Sequence, residues 1–506
     1  MRIALLIFVV LALPLVSHAQ CAGIPLTYCG PTDTTVRSGA TPTLGAVGTE
    51  TTDPDFGSKT LRITASGSCG IAAGNNYASN DGRGWGHVWA LDDTQLMFND
   101  SNGWDYVTLT GAGTPTITTN GTCVNINPTK MHYTFGYSNV TAHLIYGFAA
   151  DGKTLSSWDT VTAHAVVSIH DMSTIPGFTL FTPFGLGFDN SDAWFCISNN
   201  TQENGTQIGC YNQSTTNTQV LNLTAATEQQ NSSAPVALNN LSAAQLAGCG
   251  IHELTVAPDA SAIFIPVNGC SAFPAGAATE LVWQMGTNNI QYVPNINMAS
   301  SHSAMGFNSV LINSAGNQPP CGSFSLGWKM WSGNSMGTNG SEHQVGLTPC
   351  QAGIGEQYDD HLSWLNNKND AHVNAYPIIL MGEKDNFPLN QIWPEWEILA
   401  IQTSPALALL NVATFGGNAT GIVWRLGHSF NDPAAQQCSG MSYVSPNVSP
   451  DGKYISYTSD WMGQTGTGGC TNSRRIDVFV LDATTAGIAG SVAQQPPPNL
   501  KVIGVK

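Results

Sequence analysis

The stretch VSPDGKYISYTSDW, residues 448–461, carries the clearest structural signal in this chain of 506 residues. Its Asp451-Gly452 pair supplies the positive φ angle that a tight turn between antiparallel strands requires. A run of aromatic and apolar residues follows the turn without strict alternation, which is typical of a strand covered on both faces. The stretch therefore predicts a first strand, a short turn and a buried second strand.

The same order of strand, polar turn and apolar strand recurs along the chain in units of about 45 to 60 residues. The seven units begin at His87, His143, Pro183, His252, His302, His361 and Tyr443. This repeat, with no long amphipathic helix, predicts an all-β chain folded as a single β-propeller of seven four-stranded blades over residues 57–490. Residues 58–65, SKTLRITA, are predicted to complete the last blade from the other terminus.

Residues 1–19 have the pattern of a signal peptide: a basic start, an apolar run over residues 3–15, and small residues at the −3 and −1 positions of the cleavage site. The apolar run is short for a bilayer, and no later stretch is long enough, so no membrane span is predicted. The chain is predicted to be secreted, either extracellular or periplasmic. The alternative is a lipoprotein cut before Cys21, whose preceding residues match that signal poorly.

Two segments are predicted to flank the propeller. An N-terminal extension covers residues 20–56, and an extended tail covers residues 491–506. The tail contains three consecutive prolines, which favour an extended backbone.

The charge balance excludes two classes of partner. Charged residues make up 10% of the chain, with 16 Lys and Arg against 33 Asp and Glu, for a net charge of −17. A nucleic-acid surface needs a basic footprint, and an anionic membrane attracts basic segments. We therefore expect neither a nucleic-acid partner nor binding to an anionic membrane.

The chain has twelve cysteines. If the chain is secreted, we expect them to form disulfides, because an oxidising compartment favours these bonds. No Cys-x-x-Cys occurs, so neither a zinc ribbon nor a c-type haem is indicated. Short separations favour bridges between neighbouring antiparallel strands. The expected pairs are Cys196–Cys210, Cys249–Cys270, Cys321–Cys350, Cys438–Cys470, Cys21–Cys29 and Cys69–Cys123.

Two stretches carry a family resemblance. Residues 448–461 resemble the repeat of Tol-type and WD-like propellers, in which Ser-Pro-Asp-Gly joins two strands, and VAPDASAIFIP at 256–266 is a degraded copy. The last third resembles secreted bacterial propellers through His302-Ser303, His361-x-Ser363, Gly427-His428 and residues 449–452. Oligogalacturonate lyases, which are metal-dependent polysaccharide lyases, share this propeller type. The resemblance implies a glycan as the ligand.

Recurring histidines are the main chemical feature of the repeat. If the units begin where the first strands begin, several imidazoles meet at one end of the central channel. Such a cluster suits a divalent metal ion, with the candidate ligands His87, His252, His302, His361 and His428. The competing interpretation is structural: in WD-like repeats a Gly-His pair precedes a strand with the imidazole tied to a turn Asp, as Gly86-His87 and Gly427-His428 would allow.

Three functions remain open. The first is a binding propeller that recognises an extracellular polysaccharide or a surface protein on its channel face. The second is a metal-dependent lyase on acidic glycans, with His302, His361 and Arg425 as candidate catalytic residues, in which a base removes the proton α to a uronate carboxylate. The third is a structural surface protein. The low arginine content argues against a polyanionic substrate, whereas Arg425 near His428 favours it.

Overall fold

The chain is all-β wherever its structure is described. A computed structural model describes residues 28, 30, 37, 40–65, 87–100, 103–110, 118–126, 131–162, 165–273, 277–294, 304–307, 309–314, 325–332, 335–336, 342–346, 361–366, 378–380, 397–401, 423–431, 446–466 and 475–487. Within these ranges it forms strands and three single-turn 3-10 helices, at Met172–Thr174, Trp461–Gly463 and Ala483–Thr485, and no α-helix. The predicted all-β class is confirmed.

The described strands form seven antiparallel sheets, numbered here by the position of their first strands. The earliest strands, β1 (Glu50–Thr52) and β2 (Lys59–Arg62), belong to sheet 7. Sheet 1 contains β3 (Gln95–Asp100), β4 (Gly103–Thr110) and β5 (Thr118–Asn125), preceded by residues 87–90, which bridge to β3. Sheet 2 contains β6 (Met131–Tyr137), β7 (Leu144–Ala149), β8 (Thr154–Asp159) and β9 (Val166–Asp171).

Sheets 3 and 4 lie in the most continuous part of the described chain. Sheet 3 contains β10 (Phe184–Phe188), β11 (Trp194–Ser198), β12 (Gln207–Asn212), β13 (Thr218–Asn222), β14 (Thr227–Gln230) and β15 (Val236–Ala237). Sheet 4 contains β16 (Gly250–Ile251) and β17 (Thr255–Val256), which both pair with β18 (Ala262–Asn268), and then β19 (Ala277–Gln284) and β20 (Ile290–Pro294).

The last three sheets follow the same antiparallel pattern. Sheet 5 contains β21 (Ala304–Gly306), β22 (Ser309–Ser314), β23 (Ser325–Ser332), β24 (Ser335–Met336) and β25 (Glu342–Gly346). Sheet 6 contains β26 (His361–Ser363), β27 (Ile378–Leu380), β28 (Glu397–Ile401) and β29 (Val423–His428). Sheet 7 contains β30 (Asn447–Val448), β31 (Tyr454–Ser459) and β32 (Asp477–Asp482), in addition to β1 and β2.

The first strands of the sheets lie side by side. Strand β6 contacts β10, β10 contacts β17, β17 contacts β21, and β26 contacts β30. Residues 87–90 join the two ends of this series, because His87 bridges Tyr137 of β6 and the Trp89 indole donates to the Asn447 carbonyl of β30. First strands gathered around one axis are the arrangement of a β-propeller.

The hydrophobic core is divided among the spaces between consecutive sheets. One cluster joins sheets 3 and 4 through side chains such as Ile208 and Ile263, and another joins sheets 7 and 1 through Val480 and Leu96. Sheets 1, 2, 3 and 7 thus bury both faces against their neighbours, which explains why their strands are apolar without strict alternation. The number of blades in the whole chain stays a prediction, and the described sheets have three to six strands rather than a uniform four.

Sheet 7 is completed from the N-terminal side of the chain. Strand β2 pairs antiparallel with β32, with Lys59 opposite Asp482 and Arg62 opposite Phe479. The closing strand predicted within residues 58–65 is confirmed. Strand β1 adds a fifth strand outside β2, although its residues fall within the segment predicted as an N-terminal extension.

Six of the seven sequence units contain the first and second strands of a sheet. The unit beginning at His143 is wrong in register, because His143 lies in the turn between β6 and β7 and the first strand precedes it. Asp151-Gly152 joins β7 to β8, the second and third strands of sheet 2. A tight Asp-Gly turn suits any antiparallel pair, so it does not mark which pair it joins.

The turns between first and second strands share one geometry despite different residues. In four sheets the backbone amide of the fourth turn residue donates a hydrogen bond to the carbonyl of the first turn residue, and the fourth residue has a positive φ. These fourth residues are Asp93, Asp192, Ala260 and Gly452. In sheet 2 the positive φ falls on His143. Only Gly452 takes this conformation without steric cost, so the turn is imposed on the other residues by strand pairing.

Two predicted disulfides are confirmed. Cys196 and Cys210 lie directly opposite each other on β11 and β12, with their Cα atoms 4.1 Å apart, and Cys249–Cys270 has the same Cα separation. Cys123 is disulfide-bonded, but its predicted partner and the other three predicted pairs lie outside the described residues. No helix in the described ranges is long and apolar enough to cross a membrane.

Candidate functional site

The first strands of the sheets begin on one side of the propeller. At sheets 3 and 4, several loops form a surface on this side. We call this surface the leading face; it comprises residues 176–183, 199–206 and 247–254. The turn 199–206 joins β11 to β12, and the buried Asn199 side chain holds it by accepting the amides of Thr206 and Gln207. Gly205 at the end of the turn bridges Ile251 of β16. Strand pairing thus places this turn beside the start of sheet 4.

Four polar side chains meet at this junction, and we call them the polar platform: Gln202, Glu203, His252 and Asn268. The Gln202 amide nitrogen lies 2.7 Å from Nε2 of His252, and the Glu203 carboxylate lies 3.8 Å from the same atom. Asn268 donates to Glu203 over 3.1 Å. The Glu203 side chain is 55% exposed and Gln202 is half-buried, whereas the His252 imidazole beneath them is 10% exposed. Such groups hydrogen-bond hydroxyls and also ligate divalent cations.

The other candidate histidines occupy different places. His87 is buried near the axis, with its ring 6.0 Å from that of Phe188. His361 begins β26, and only its backbone is described; His302 lies outside the described residues. His143 lies at the opposite ends of the first strands from His252 and contacts the Asp92 carboxylate at 3.1 Å.

His428 lies away from the ring of first strands, at the end of the fourth strand of sheet 6. Its backbone amide donates to Asp53 over 2.7 Å, and its Nδ1 lies 3.1 Å from the same oxygen. Asp53 belongs to the turn between β1 and β2, and its other oxygen accepts the amides of Asp55 and Phe56. Gly427 permits this approach, because a Cβ atom there would lie 2.6 Å from Ser58 Oγ.

Arg425 and Glu397 form a second ion pair beside the first. The guanidinium donates to both carboxylate oxygens of Glu397, one of them over 2.6 Å, and Arg425 is fully buried. The Phe56 ring lies between the pairs, 5.0 Å from the Arg425 guanidinium carbon and 4.7 Å from the His428 ring. A catalytic role for Arg425 would require its release from Glu397.

Asp53 and His428 stabilise each other's charged forms. Burial raises the pKa of Asp53, but hydrogen bonds from His428 and from backbone amides outweigh burial and hold it below its usual value. Burial lowers the pKa of His428, but the Asp53 carboxylate outweighs burial and raises it. The pair is therefore an imidazolium carboxylate pair buried between sheets 6 and 7.

Three side chains of the types that bind metal ions lie close together at this pair. Among the described residues, the group of three metal-binding side chains with ligand atoms within 4.8 Å is Asp53, Asp55 and His428, and it includes neither His87 nor His252. A metal ligand must be an unprotonated imidazole, whereas Asp53 favours the protonated form of His428. The cluster has the contacts of the structural interpretation, with the turn Asp supplied by the neighbouring sheet, and a metal ion here would have to displace the proton of His428.

A carboxyl pair at the far ends of the first strands was missed by the sequence interpretation. Asp93 of sheet 1 hydrogen-bonds through its side chain to Asp451 of sheet 7, and Lys453 lies 2.5 Å from Asp451. Burial and the Asp451 carboxylate raise the pKa of Asp93 to about 9. Each Asp occupies an ordinary turn, so no local signal in the sequence pairs them.

Comparisons with known proteins define no family for this chain. No protein-family model and no curated protein matches the chain. Similar solved structures include an oligogalacturonate lyase in complex with manganese (12% identity, 87% of this chain and 97% of that chain, TM-score 0.45) and the hydrazine synthase of Kuenenia stuttgartiensis (11%, 79% and 96%, 0.43). The WD40 repeats of RRP9 match at 8%, over 84% and 97%, with a TM-score of 0.40. Similarity at this level carries no inference about ligand or chemistry.

Proposed function

We propose that the protein is a secreted β-propeller that binds an extracellular glycan on its leading face. The observation that carries this proposal is the polar platform, in which the exposed Glu203 and the half-buried Gln202 meet the buried His252 where two sheets adjoin. Convergent amide, carboxylate and imidazole groups on a preformed surface suit the hydroxyl groups of a sugar. The two described disulfides are compatible with an oxidising compartment. Determining the first residue of the mature protein, which is expected to be residue 20, tests secretion.

Binding to a panel of soluble polysaccharides tests the glycan proposal. The panel contains neutral β-glucan, xylan and galactomannan together with polygalacturonate, and retention is measured by affinity electrophoresis. We expect E203Q and H252A to weaken retention about tenfold, since each removes one charged or polar contact. N239A changes another exposed amide, which bonds to Asn288 at a distance from the platform, and should leave retention unchanged. No retention of any polysaccharide by the wild-type protein would refute the proposal.

A metal-dependent polysaccharide lyase is the second candidate. It is favoured by histidines in similar places in three sheets. His252 precedes the first strand β17 beside Gln202 and Glu203, His361 begins the first strand of sheet 6, and His302 precedes that of sheet 5. A divalent ion held by such residues would stabilise the anion that forms when a base removes the proton α to a uronate carboxylate. The C4–O4 bond would then break as a C4–C5 double bond forms, and the departing O4 would take a proton from water to become the hydroxyl of the released chain.

Incubation of the protein with polygalacturonate and Mn²⁺ tests this second candidate. Unsaturated oligosaccharides should appear, and a chelator or H252A should abolish them. H143A alters a histidine at the opposite ends of the first strands and serves as the matched control. Intact substrate at every metal concentration would exclude the lyase function, and glycan binding would remain as the proposed function.

A further inference from the structure

The loop between sheets 2 and 3 exposes an aromatic ring on the leading face. Phe181 is 69% exposed, and among the described residues it is the most exposed large hydrophobic side chain and the one aromatic side chain in that group, since the others are valines. A scattered valine at a surface is ordinary, whereas an exposed phenylalanine leaves a large apolar area in contact with water.

Hydrogen bonds to Asn199 and Gln207 hold this loop in place. The amides of Phe181 and Thr182 donate to the Asn199 carbonyl over 2.9 and 3.2 Å, and the Asn199 side chain donates to the Thr179 carbonyl. The Thr179 amide donates to Gln207 over 2.8 Å. Asn199 is itself buried, so the loop is anchored to the body of sheet 3. The backbone that carries the ring is therefore fixed, which reduces the entropy lost when a ligand orders this loop.

The same residue links the ring to the polar platform. Asn199 begins the turn that carries Gln202 and Glu203, and its carbonyl oxygen accepts a hydrogen bond from the Phe181 amide. One short turn thus has an apolar ring on one side and hydrogen-bonding groups on the other. A pyranose has this combination of surfaces, with an apolar face of C–H groups and a rim of hydroxyls.

We infer that Phe181 is a stacking platform for a pyranose ring of a neutral glycan. This inference rests on the proposed glycan-binding function and names the ligand class. The exposed Glu203 carboxylate and the net charge of −17 repel an anionic chain, which favours a neutral sugar over a uronate polymer.

Calorimetric titration with neutral oligosaccharides of the polysaccharide that the wild-type protein retains tests the inference. We expect F181A to raise the Kd about tenfold and F181W to stay within about threefold of the wild type, because the indole restores the stacking surface. V167A truncates another exposed side chain, 58% exposed on β9, and should leave the Kd unchanged. Thermal melting of each variant confirms that the fold is retained.

The outcomes separate this inference from the proposed function. Wild-type binding of neutral sugars with an unchanged Kd for F181A would overturn the stacking role and leave glycan binding intact. Binding of polygalacturonate alone would overturn the neutral class. Absence of all glycan binding would overturn both proposals and favour a protein partner on this face.

Discussion

Asp93 illustrates how a turn residue acquires an unusual property from a sheet that is distant in sequence. Its carboxyl group is buried against Asp451, and its pKa is raised to about 9. The unfolded chain releases this proton near pH 4, whereas the folded chain retains it up to about pH 9. The folded state therefore binds more protons in this range, and its stability falls as pH rises from about 4 to 9.

Replacing Asp93 with Asn should remove this penalty. The amide is neutral and still donates to Asp451, so we expect D93N to raise the free energy of unfolding at pH 7 by about 1–3 kcal/mol. Urea unfolding at pH 5, 7 and 8.5 should show a smaller loss of stability with pH than in the wild type. D259N, in the corresponding turn of sheet 4, is the control. A pH dependence unchanged by D93N would contradict the carboxyl pairing.

The buried pair of Asp53 and His428 has a stability window with two limits. The lowered pKa of Asp53 contributes stability that is present above about pH 4 and is lost as pH falls through the folded value. The raised pKa of His428 contributes stability that is complete below about pH 6.5 and is lost as pH rises through the folded value. The pair is therefore most stabilising between these limits.

Breaking this pair from one side should be costly. We expect D53N to lower the free energy of unfolding by about 3–5 kcal/mol at pH 6, because it leaves an imidazolium buried without its counter-charge. E50Q removes the half-buried Glu50–Lys59 pair that joins β1 to β2 and should cost less than about 1 kcal/mol. Chemical denaturation between pH 4 and 8 measures both. Equal effects of the two variants would show that the buried pair carries no special weight.

At the level of elements, the Cys249–Cys270 bridge ties the segment that enters sheet 4 to the connection between its strands β18 and β19. The two residues are 21 positions apart, and the bridge joins the segment before β16 to the segment after β18. In the chain-entropy account, a loop of this length stabilises the fold by about 3 kcal/mol. The double variant C249S/C270S should therefore have a lower melting temperature by several degrees, measured by calorimetry under oxidising conditions.

The near-UV circular dichroism of C249S/C270S distinguishes two roles of the bridge. If the bridge acts mainly on the unfolded chain, C249S/C270S should retain the native near-UV circular dichroism while unfolding at lower temperature. Loss of the native spectrum at 25 °C would show instead that the bridge is needed to form sheet 4.

At the level of the whole molecule, the propeller is closed by strands from opposite ends of the sequence. Strand β2 covers the edge of β32, and Arg62 and Arg475 both bind the buried Asp477 carboxylate. A chain that starts at residue 66 lacks β1 and β2 and exposes the β32 edge, which favours aggregation. We expect this truncation to elute as aggregates in size-exclusion chromatography, whereas a chain that starts at residue 20 should be monodisperse.

A synthetic peptide can test whether closure itself is responsible. A peptide of residues 44–65 contains β1, β2 and the Asp53 turn. Adding it during refolding of the truncated chain should restore a soluble species and a cooperative melting transition. Aggregation that persists at high peptide concentration would indicate that the missing segment acts in another way than by pairing with β32.

Much of the architecture was predictable because its signals are local. The turn at Asp451-Gly452, the apolar second strands, the Cys196–Cys210 bridge and the closing strand depend on residues close in sequence or on a general property of closed repeats. The register error at His143 arose from the same locality, since one Asp-Gly turn resembles another wherever it lies in a sheet.

The side-chain partners could be decided only by tertiary structure. His428 meets Asp53 across 375 positions of sequence, and Gln202 meets His252 because two neighbouring sheets place their loops on one face. The sequence marks both histidines in the same way, as polar residues flanking strands. Packing between sheets buries His428 against the buried carboxylate of Asp53, whereas it buries His252 beneath the exposed Glu203 side chain. Local sequence specifies the strands and turns, whereas the environment of each charged group depends on which sheets pack together and how they twist.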